Sequence, residues 1–309
     1  MTSLRLLFAG SPEVAVPSLN ALLNSEHEVA GVLTRTDSPQ GRRRVMTPTP
    51  VAARAEEAGV SVIRANRLDT AAASAIDDLR VDLGVIVAYG GLVPASVLAI
   101  PRLGWINLHF SLLPQWRGAA PVQRAIMAGD TVSGATVFQL VEQLDAGDVF
   151  ATMTEPIGAQ QTAGSLLQQL SLSGATLLSE VVDSLAAGTA HAEPQVGEVT
   201  LAPKLALDDG RIDWTEPAQS VHNRIRGVTP EPGASTSIDG SRLKVLEAAI
   251  ARDTPSLAPG HIEFAGKKVL VGTATDPLEL LRVHPEGRKA MDAAAWWRGL
   301  NSELEVVAS

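Results

Sequence analysis

From residue 4 onward, short apolar runs alternate with amphipathic stretches, and the alternation points to one architecture. Residues 4–10 form an apolar run that closes on Gly10 and predict a strand. Residues 14–23 follow as a predicted helix, with Pro17 in its first turns, where a missing N–H is tolerated. Residues 29–33 predict a second strand, and 51–58 a second helix after a Pro-Thr-Pro start. A third strand is expected at 60–63. The Val- and Ile-rich run 83–88 predicts a fourth, buried on both faces, and 106–110 a fifth. Strands alternating with helices in this way predict an α/β fold built on a doubly wound, Rossmann-like, mostly parallel sheet. Ligands of such sheets bind beyond the carboxyl ends of the strands.

A long helix is expected over 166–187, after which the texture changes. Residues 188–206 carry Glu193-Pro194, Gly197 and Pro203 and read as a linker. A helix is expected over 217–226. Short alternating runs at 243–246, 260–264, 268–271 and 278–283 then predict a small β-barrel of the oligonucleotide-binding type, followed by a short helix at 293–300. The expected plan is a catalytic domain over 1–187, a linker over 188–206 and a barrel domain over 207–309.

The 309 residues leave room for two domains. Net charge is −9, and both parts of the chain, divided near residue 206, are acidic on balance. Indiscriminate nucleic-acid binding is therefore not expected, and a nucleic-acid partner has to be held by local basic patches. Two patches exist: Arg42-Arg43-Arg44, and the group Lys244, Lys267-Lys268 and Arg288-Lys289. The plain reading of three successive charges is a solvated surface run. The chain has no cysteine, and its six histidines lack ligand spacing, so no metal is expected. The longest apolar stretch, 81–100, is interrupted by Asp82, Gly84, Gly90, Gly91 and Pro94, so no membrane span is expected. The start of the sequence lacks a secretory pattern, and a cytoplasmic protein is expected. Gly10-Ser11-Pro12 does not continue as Gly-x-Gly-x-x-Gly, which argues against a dinucleotide site.

In the fifth strand Ile106, Leu108 and Phe110 share one face and leave Asn107 and His109 on the other. An amide and an imidazole together at a strand end can stabilise a developing oxyanion; the pair also fits a polar strand face with a satisfied histidine. The run Ser111-Leu112-Leu113-Pro114-Gln115-Trp116-Arg117-Gly118-Ala119-Ala120-Pro121 follows. Downstream come Gly134-Ala135-Thr136 and Gln143-Leu144-Asp145-Ala146-Gly147-Asp148. This set resembles the formyltransferases that use 10-formyltetrahydrofolate, with Asn, His and Asp in the family's order. Five further runs are similar to the branch of that family that acts on methionyl-tRNA. They are Phe8-Ala9-Gly10-Ser11-Pro12, Ala88-Tyr89-Gly90, Arg211-Ile212-Asp213-Trp214, Pro230-Glu231-Pro232-Gly233-Ala234 and Gly287-Arg288-Lys289-Ala290-Met291. The resemblance covers essentially the whole chain in one register.

The resemblance implies formyl transfer from 10-formyltetrahydrofolate to the amino group of initiator methionyl-tRNA, with a small amine such as an amino sugar nucleotide as the alternative acceptor. It implies catalytic roles for Asn107, His109 and Asp145: two donors to the formyl oxygen and a carboxylate that holds His109 and handles protons. Leu-Asp-Ala-Gly-Asp is also good turn chemistry, a role for which Asp148 is better suited. The resemblance implies that Ser111, Leu112, Leu113 and Pro114 contact the formylfolate largely through backbone groups, with Tyr89 and residues up to 93 as walls. Leu112 and Leu113 equally suit a core. Arg42, Arg43 and Arg44 are implied to meet the acceptor end of the tRNA, although Val45 stands where the family places a lysine. Lys244, Lys267, Lys268, Arg288 and Lys289 are implied to contact tRNA phosphates. A monomer is expected.

Overall fold

The computed structural model describes residues 3–41, 43–300 and 307–308. It divides into two compact units, one of Met1–Pro121, Ser133–Glu155 and Leu167–Ala202, the other of Val122–Val132, Pro156–Leu166 and Pro203–Ser309.

The first unit is built on seven strands: β1 (Arg5–Gly10), β2 (Glu28–Thr34), β3 (Val62–Arg64), β4 (Leu83–Val87), β5 (Trp105–His109), β6 (Val132–Gln139) and β7 (Val149–Pro156). Their order across the sheet is β7-β6-β5-β4-β1-β2-β3. The pairs from β5 to β3 are all parallel, as the βα alternation predicts. The strand order reverses about β1, which places a crevice at the carboxyl ends of β1, β4 and β5. Helices Val16–Leu23, Pro50–Glu57 and Thr70–Asp78 provide the connections. Thr49 and Asp69 start the latter two, each accepting a backbone N–H bond of 3.0 Å from the third residue on.

β4 is buried along its whole length, in keeping with its run of apolar residues. Trp105 of β5 pairs in register with Gly84 of β4, and its indole occupies the space a Cβ at 84 would take, 2.1 Å from the ring. Its Nε1 donates to the Val97 carbonyl at 2.9 Å.

The apolar pattern predicts neither β6 nor β7. β6 pairs with β5 in antiparallel fashion, His109 lying opposite Thr136. It is almost wholly buried, yet four successive residues in it are small, Ser133, Gly134, Ala135 and Thr136, before Val137 and Phe138. A Cβ on Gly134 would fall 2.0 Å from the Met153 carbonyl and 2.5 Å from Leu112. Tight packing against β7 therefore removes the hydrophobic signal that marks the other strands. β5 also ends one residue before the predicted boundary, at His109.

The second unit holds helix Ala218–Gly227 and a sheet of β8 (Ala234–Ile238), β9 (Ser241–Ile250), β10 (Ile262–Ala265), β11 (Lys268–Val271) and β12 (Leu278–Pro285). The order is β8-β9-β12-β11-β10, antiparallel throughout. Ala308 bridges Ile238 at one edge and Val307 bridges His261 near the other, which curls the sheet into a barrel. Trp214, Val245, Val271, Leu278, Val283 and Trp296 fill its interior. β8 escapes the apolar pattern because Ala234, Thr236 and Ile238 face inward between serines.

Candidate active site

β5 delivers two neighbouring side chains to the crevice. Asn107 is half-buried, and among the described residues its amide makes no hydrogen bond. A polar group so placed has donors to spare for a ligand. Two residues on, His109 is buried, and its ring meets Phe138 edge-on at 6.5 Å.

The His109 tautomer is set by one contact. Nε2 lies 2.9 Å from the Trp116 carbonyl, which only accepts, so Nε2 carries a proton. Nδ1 then faces the Asp145 carboxylate, with Oδ2 at 3.8 Å. That same Oδ2 accepts the Gly118 N–H at 2.8 Å. Oδ1 takes no hydrogen bond among the described residues.

Two backbone oddities hold this geometry. Trp116 has φ 60° and Asp145 has φ 46°, left-handed conformations that L residues rarely adopt. The first turns the Trp116 carbonyl toward the imidazole. The second presents the Asp145 side chain from the loop that follows β6. Strain of this kind costs about 1–3 kcal/mol per residue and persists only where neighbours over-determine it.

Burial lowers the His109 pKa below the usual histidine value, while the Asp145 charge and the Trp116 carbonyl oppose that shift. In the second unit, burial and then the Arg226 charge lower His222, against the Ala248 carbonyl. Folding therefore holds both imidazoles neutral where the unfolded chain protonates them. Their stabilisation is fully present above about pH 6.5 and is lost as pH falls through the lower folded values. The urea midpoint is expected to drop on acidification from pH 7 to pH 5, and less steeply in His222→Gln. An equally steep drop in the variant contradicts this assignment.

Asn107, His109 and Asp145 open onto a cleft of about 460 Å³. Its walls include Ile86, Ala88–Val93, Phe110, Gly118 and Leu140–Leu144. Leu92, Val141 and Leu144 stand exposed at 83%, 40% and 61%, an apolar rim on an open site. A cleft of this size, with apolar walls and a few convergent polar groups, suits a small-molecule ligand.

Residues 4–182 match the formyl transferase family, and residues 204–301 match the formyl transferase C-terminal domain. The chain belongs to the formyl transferase family. The methionyl-tRNA formyltransferase of Arthrobacter sp. strain FB24 is 56% identical over 296 residues, covering 96% of this chain and 97% of that protein. That of Clavibacter michiganensis is 57% identical over 299 residues, covering 97% and 98%. Among solved structures, the sugar 3N-formyl transferase WlaRD superposes with a TM-score of 0.69 at 15% identity, covering 93% of this chain and 100% of its own. The N-formyltransferase of Helicobacter canadensis, solved with folinic acid and dTDP-3-aminofucose, gives 0.69 at 17% identity over 90% and 98%. These two share the fold.

The other residues singled out in the sequence are distributed as follows. Tyr89 lines the cleft, but its hydroxyl is buried and donates to the Ala65 carbonyl at 2.7 Å. Ser111, Leu112, Leu113 and Pro114 are not among the residues lining the cleft. The Ser111 hydroxyl donates to the Gln115 carbonyl at 2.6 Å, Thr136 donates to the Ser111 carbonyl at 2.7 Å, and Leu112 packs over Gly134. This loop shapes the turn that carries Trp116. The resemblance does not mark the segment 140–144 as a wall; its signal is the pair of apolar residues, Val141 and Leu144, on either side of polar Glu142 and Gln143.

Arg43 and Arg44 are exposed at the tip of a hairpin formed by Ser38–Gln40 and Val45–Thr47; Arg42 lies outside the described residues. In the barrel, Lys244 lies opposite His284 and, with Arg242, lines a shallow depression of about 240 Å³. Lys267 is exposed on the turn between β10 and β11, and Arg288 and Lys289 are exposed after β12. Lys268 is engaged by Glu279 at 2.8 Å. Among the described residues no group of three His, Asp or Glu could hold a metal ion.

Proposed function

We propose that the chain transfers the formyl group of 10-formyltetrahydrofolate to the α-amino group of methionine on initiator tRNA, for translation initiation. The observation that carries this reading is the His109–Asp145 pair, 3.8 Å apart on the cleft, in a chain that aligns end to end with methionyl-tRNA formyltransferases. The donor fits the residues present. An unpaired Asn107 amide and the His109 Nδ1 edge both face the cleft, and walls at 88–93 and 140–144 offer backbone groups and an apolar floor for a flat heterocycle. When bound, formyltetrahydrofolate supplies an activated carbonyl whose nitrogen can leave.

Each side chain then has a defined task. The Asn107 amide donates to the formyl oxygen as negative charge builds there. As the amine attacks, it sheds a proton to His109 Nδ1, which is bare in the resting tautomer. The imidazolium so formed donates to the formyl oxygen and is stabilised by the adjacent Asp145 carboxylate. The new bond joins the methionine nitrogen to the formyl carbon, and the bond from that carbon to the folate nitrogen breaks. His109, held by Asp145, then returns that proton to the departing nitrogen, so the imidazole ends neutral as it began. No covalent acyl-enzyme is required.

Arg43 and Arg44, exposed on the hairpin, are proposed to meet the acceptor end of the tRNA, as is Arg42, which lies outside the described residues. Lys244, Lys267, Arg288 and Lys289 are proposed to contact its phosphates, and Lys268 more weakly because Glu279 holds it. Affinity for tRNA is then expected to fall steeply with salt. Lys244→Ala is expected to shallow the slope of log K against log salt by about one, with little effect on choice between tRNAs. An unchanged slope contradicts the contact. We also propose a monomer acting in the cytoplasm; no helix among the described residues is long and apolar enough to cross a membrane.

Acceptor choice tests the reading. The chain is offered formyltetrahydrofolate with either methionyl initiator tRNA or a dTDP-amino sugar. Formyl-methionyl-tRNA as the product supports the proposal. Formylation of the sugar alone overturns it in favour of the sugar-acting branch.

A further inference from the structure

The segment 193–202 lies against both catalytic loops and is bonded to each. At one end Glu193 pairs with Val149, through backbone bonds of 2.7 and 2.9 Å, just beyond the Asp145 loop. At the other, the Thr200 hydroxyl accepts the Trp116 N–H at 2.8 Å, and Leu201–Ala202 runs parallel to Arg117–Gly118. Between them stands Gln195. Its Nε2 donates to the carbonyls of Asp145 at 2.8 Å and Gly147 at 2.9 Å. Its Oε1 accepts from Arg117 Nε at 3.1 Å and Nη2 at 2.6 Å.

We propose that Gln195, anchored by Arg117, is a positioning residue for formyl transfer that fixes the Asp145 loop opposite His109. The inference rests on the role given to Asp145 above. Only a primary amide meets both demands of the place, accepting from a guanidinium on one side and donating to two carbonyls on the other. A carboxylate would keep Arg117 but set a negative charge against two carbonyl oxygens. Arg117 and Gly118 tie the two halves together. The Arg117 side chain orients Gln195, while the next N–H, of Gly118, holds Asp145 Oδ2. Gln195 thus secures the backbone of a residue in a left-handed conformation, and Gly118 secures its side chain. Space around the loop is already tight, since a Cβ on Gly147 would fall 1.7 Å from the Gln139 carbonyl. Loss of the two Gln195 donors leaves two loop carbonyls unpaired and lets the carboxylate drift from Nδ1.

The test uses the full chain with saturating methionyl initiator tRNA. Gln195→Met keeps size and removes every polar bond; Gln195→Glu keeps the Arg117 contact alone. Both are expected to lower kcat about tenfold to a hundredfold, the cost of misplacing a catalytic group by about 1 Å. KM for formyltetrahydrofolate is expected to stay within about twofold, because Gln195 does not touch the cleft. Arg117→Met combined with Gln195→Met is expected to lose no more than the single variants, as members of one relay do. Rates are compared well below each variant's thermal transition, so partial unfolding does not enter. A wild-type kcat in both Gln195 variants, a rise in KM at unchanged kcat, or additive losses in the double variant overturns the proposal. Inactive wild-type chain instead overturns the functional reading beneath it.

Discussion

Asn107→Ala and His109→Ala are each expected to lower the rate of formyl transfer by about a hundredfold to a thousandfold, the usual cost of one donor to a developing oxyanion. The reason differs between them. Asn107 makes no side-chain hydrogen bond among the described residues, so its removal leaves folding untouched and subtracts only a donor aimed at the cleft. His109 is bonded to Trp116 and packed on Phe138, so its removal also opens a small void. Asn107→Ala is therefore the cleaner probe: kcat falls, while the thermal midpoint and KM for formyltetrahydrofolate stay close to wild type. His109→Ala is expected to match it in rate but to lose some stability. Steady-state kinetics with a parallel thermal melt separates the two contributions. A fully active Asn107→Ala would remove the amide from the mechanism.

Trp105→Ala is expected to destabilise the first unit by about 3–5 kcal/mol, the range for truncating a large buried aromatic residue. Trp105 is among the largest fully buried side chains of the chain. Two costs coincide there. The indole fills space against Gly84 that alanine leaves empty, and the Val97 carbonyl loses its Nε1–H donor inside an apolar cluster. With net stabilities of about 5–15 kcal/mol for ordinary domains, such a loss is a large fraction of the whole. Urea unfolding followed by circular dichroism checks it. Trp105→Phe is expected to retain most of the packing but still to lose the indole donor, leaving the Val97 carbonyl with the Ile100 N–H at 3.2 Å as its partner. An unaltered midpoint in Trp105→Ala would show that Trp105 and Gly84 are not the tight pair described above.

The parts of the fold that were legible in the sequence are those where burial is achieved with large apolar side chains. β1, β2, β4 and β5 announce themselves as Val, Ile and Leu runs because helices cover both faces of a parallel sheet. β6 is as deeply buried and stayed hidden, since close approach to β7 selects Gly134 and Ala135 there. That gap has a consequence for the site. Asn107 and His109 were readable as neighbours on one strand face, from period-two alternation alone. Their meeting with Asp145 was not, because it depends on the antiparallel pairing of β5 with β6, which carries the chain to the 140–148 loop. For Asp145 the signal was family resemblance, not spacing. Gln195 gave no signal of any kind. It sits in an irregular, proline-containing stretch, and its importance lies in contacts to carbonyls that no sequence pattern marks.

The barrel shows the same division. β9, β11 and β12 carry apolar residues that point inward at alternate positions, while β8 interleaves them with serines and reads as loop. The basic residues were legible as charges but not as free charges. Lys268 is paired with Glu279, whereas Lys267 and Lys289 are exposed, a distinction that only the register of β11 and β12 reveals.

The most direct test of the account is a single-turnover reaction of enzyme in excess over methionyl initiator tRNA, with saturating 10-formyltetrahydrofolate, comparing the unaltered chain with Asp145→Ala. Rapid formation of formyl-methionyl-tRNA by the former and a loss of at least about a hundredfold in the latter, with tRNA binding unchanged, is the expected result. Equal rates for the two proteins would mean that the carboxylate beside His109 takes no part in the chemistry.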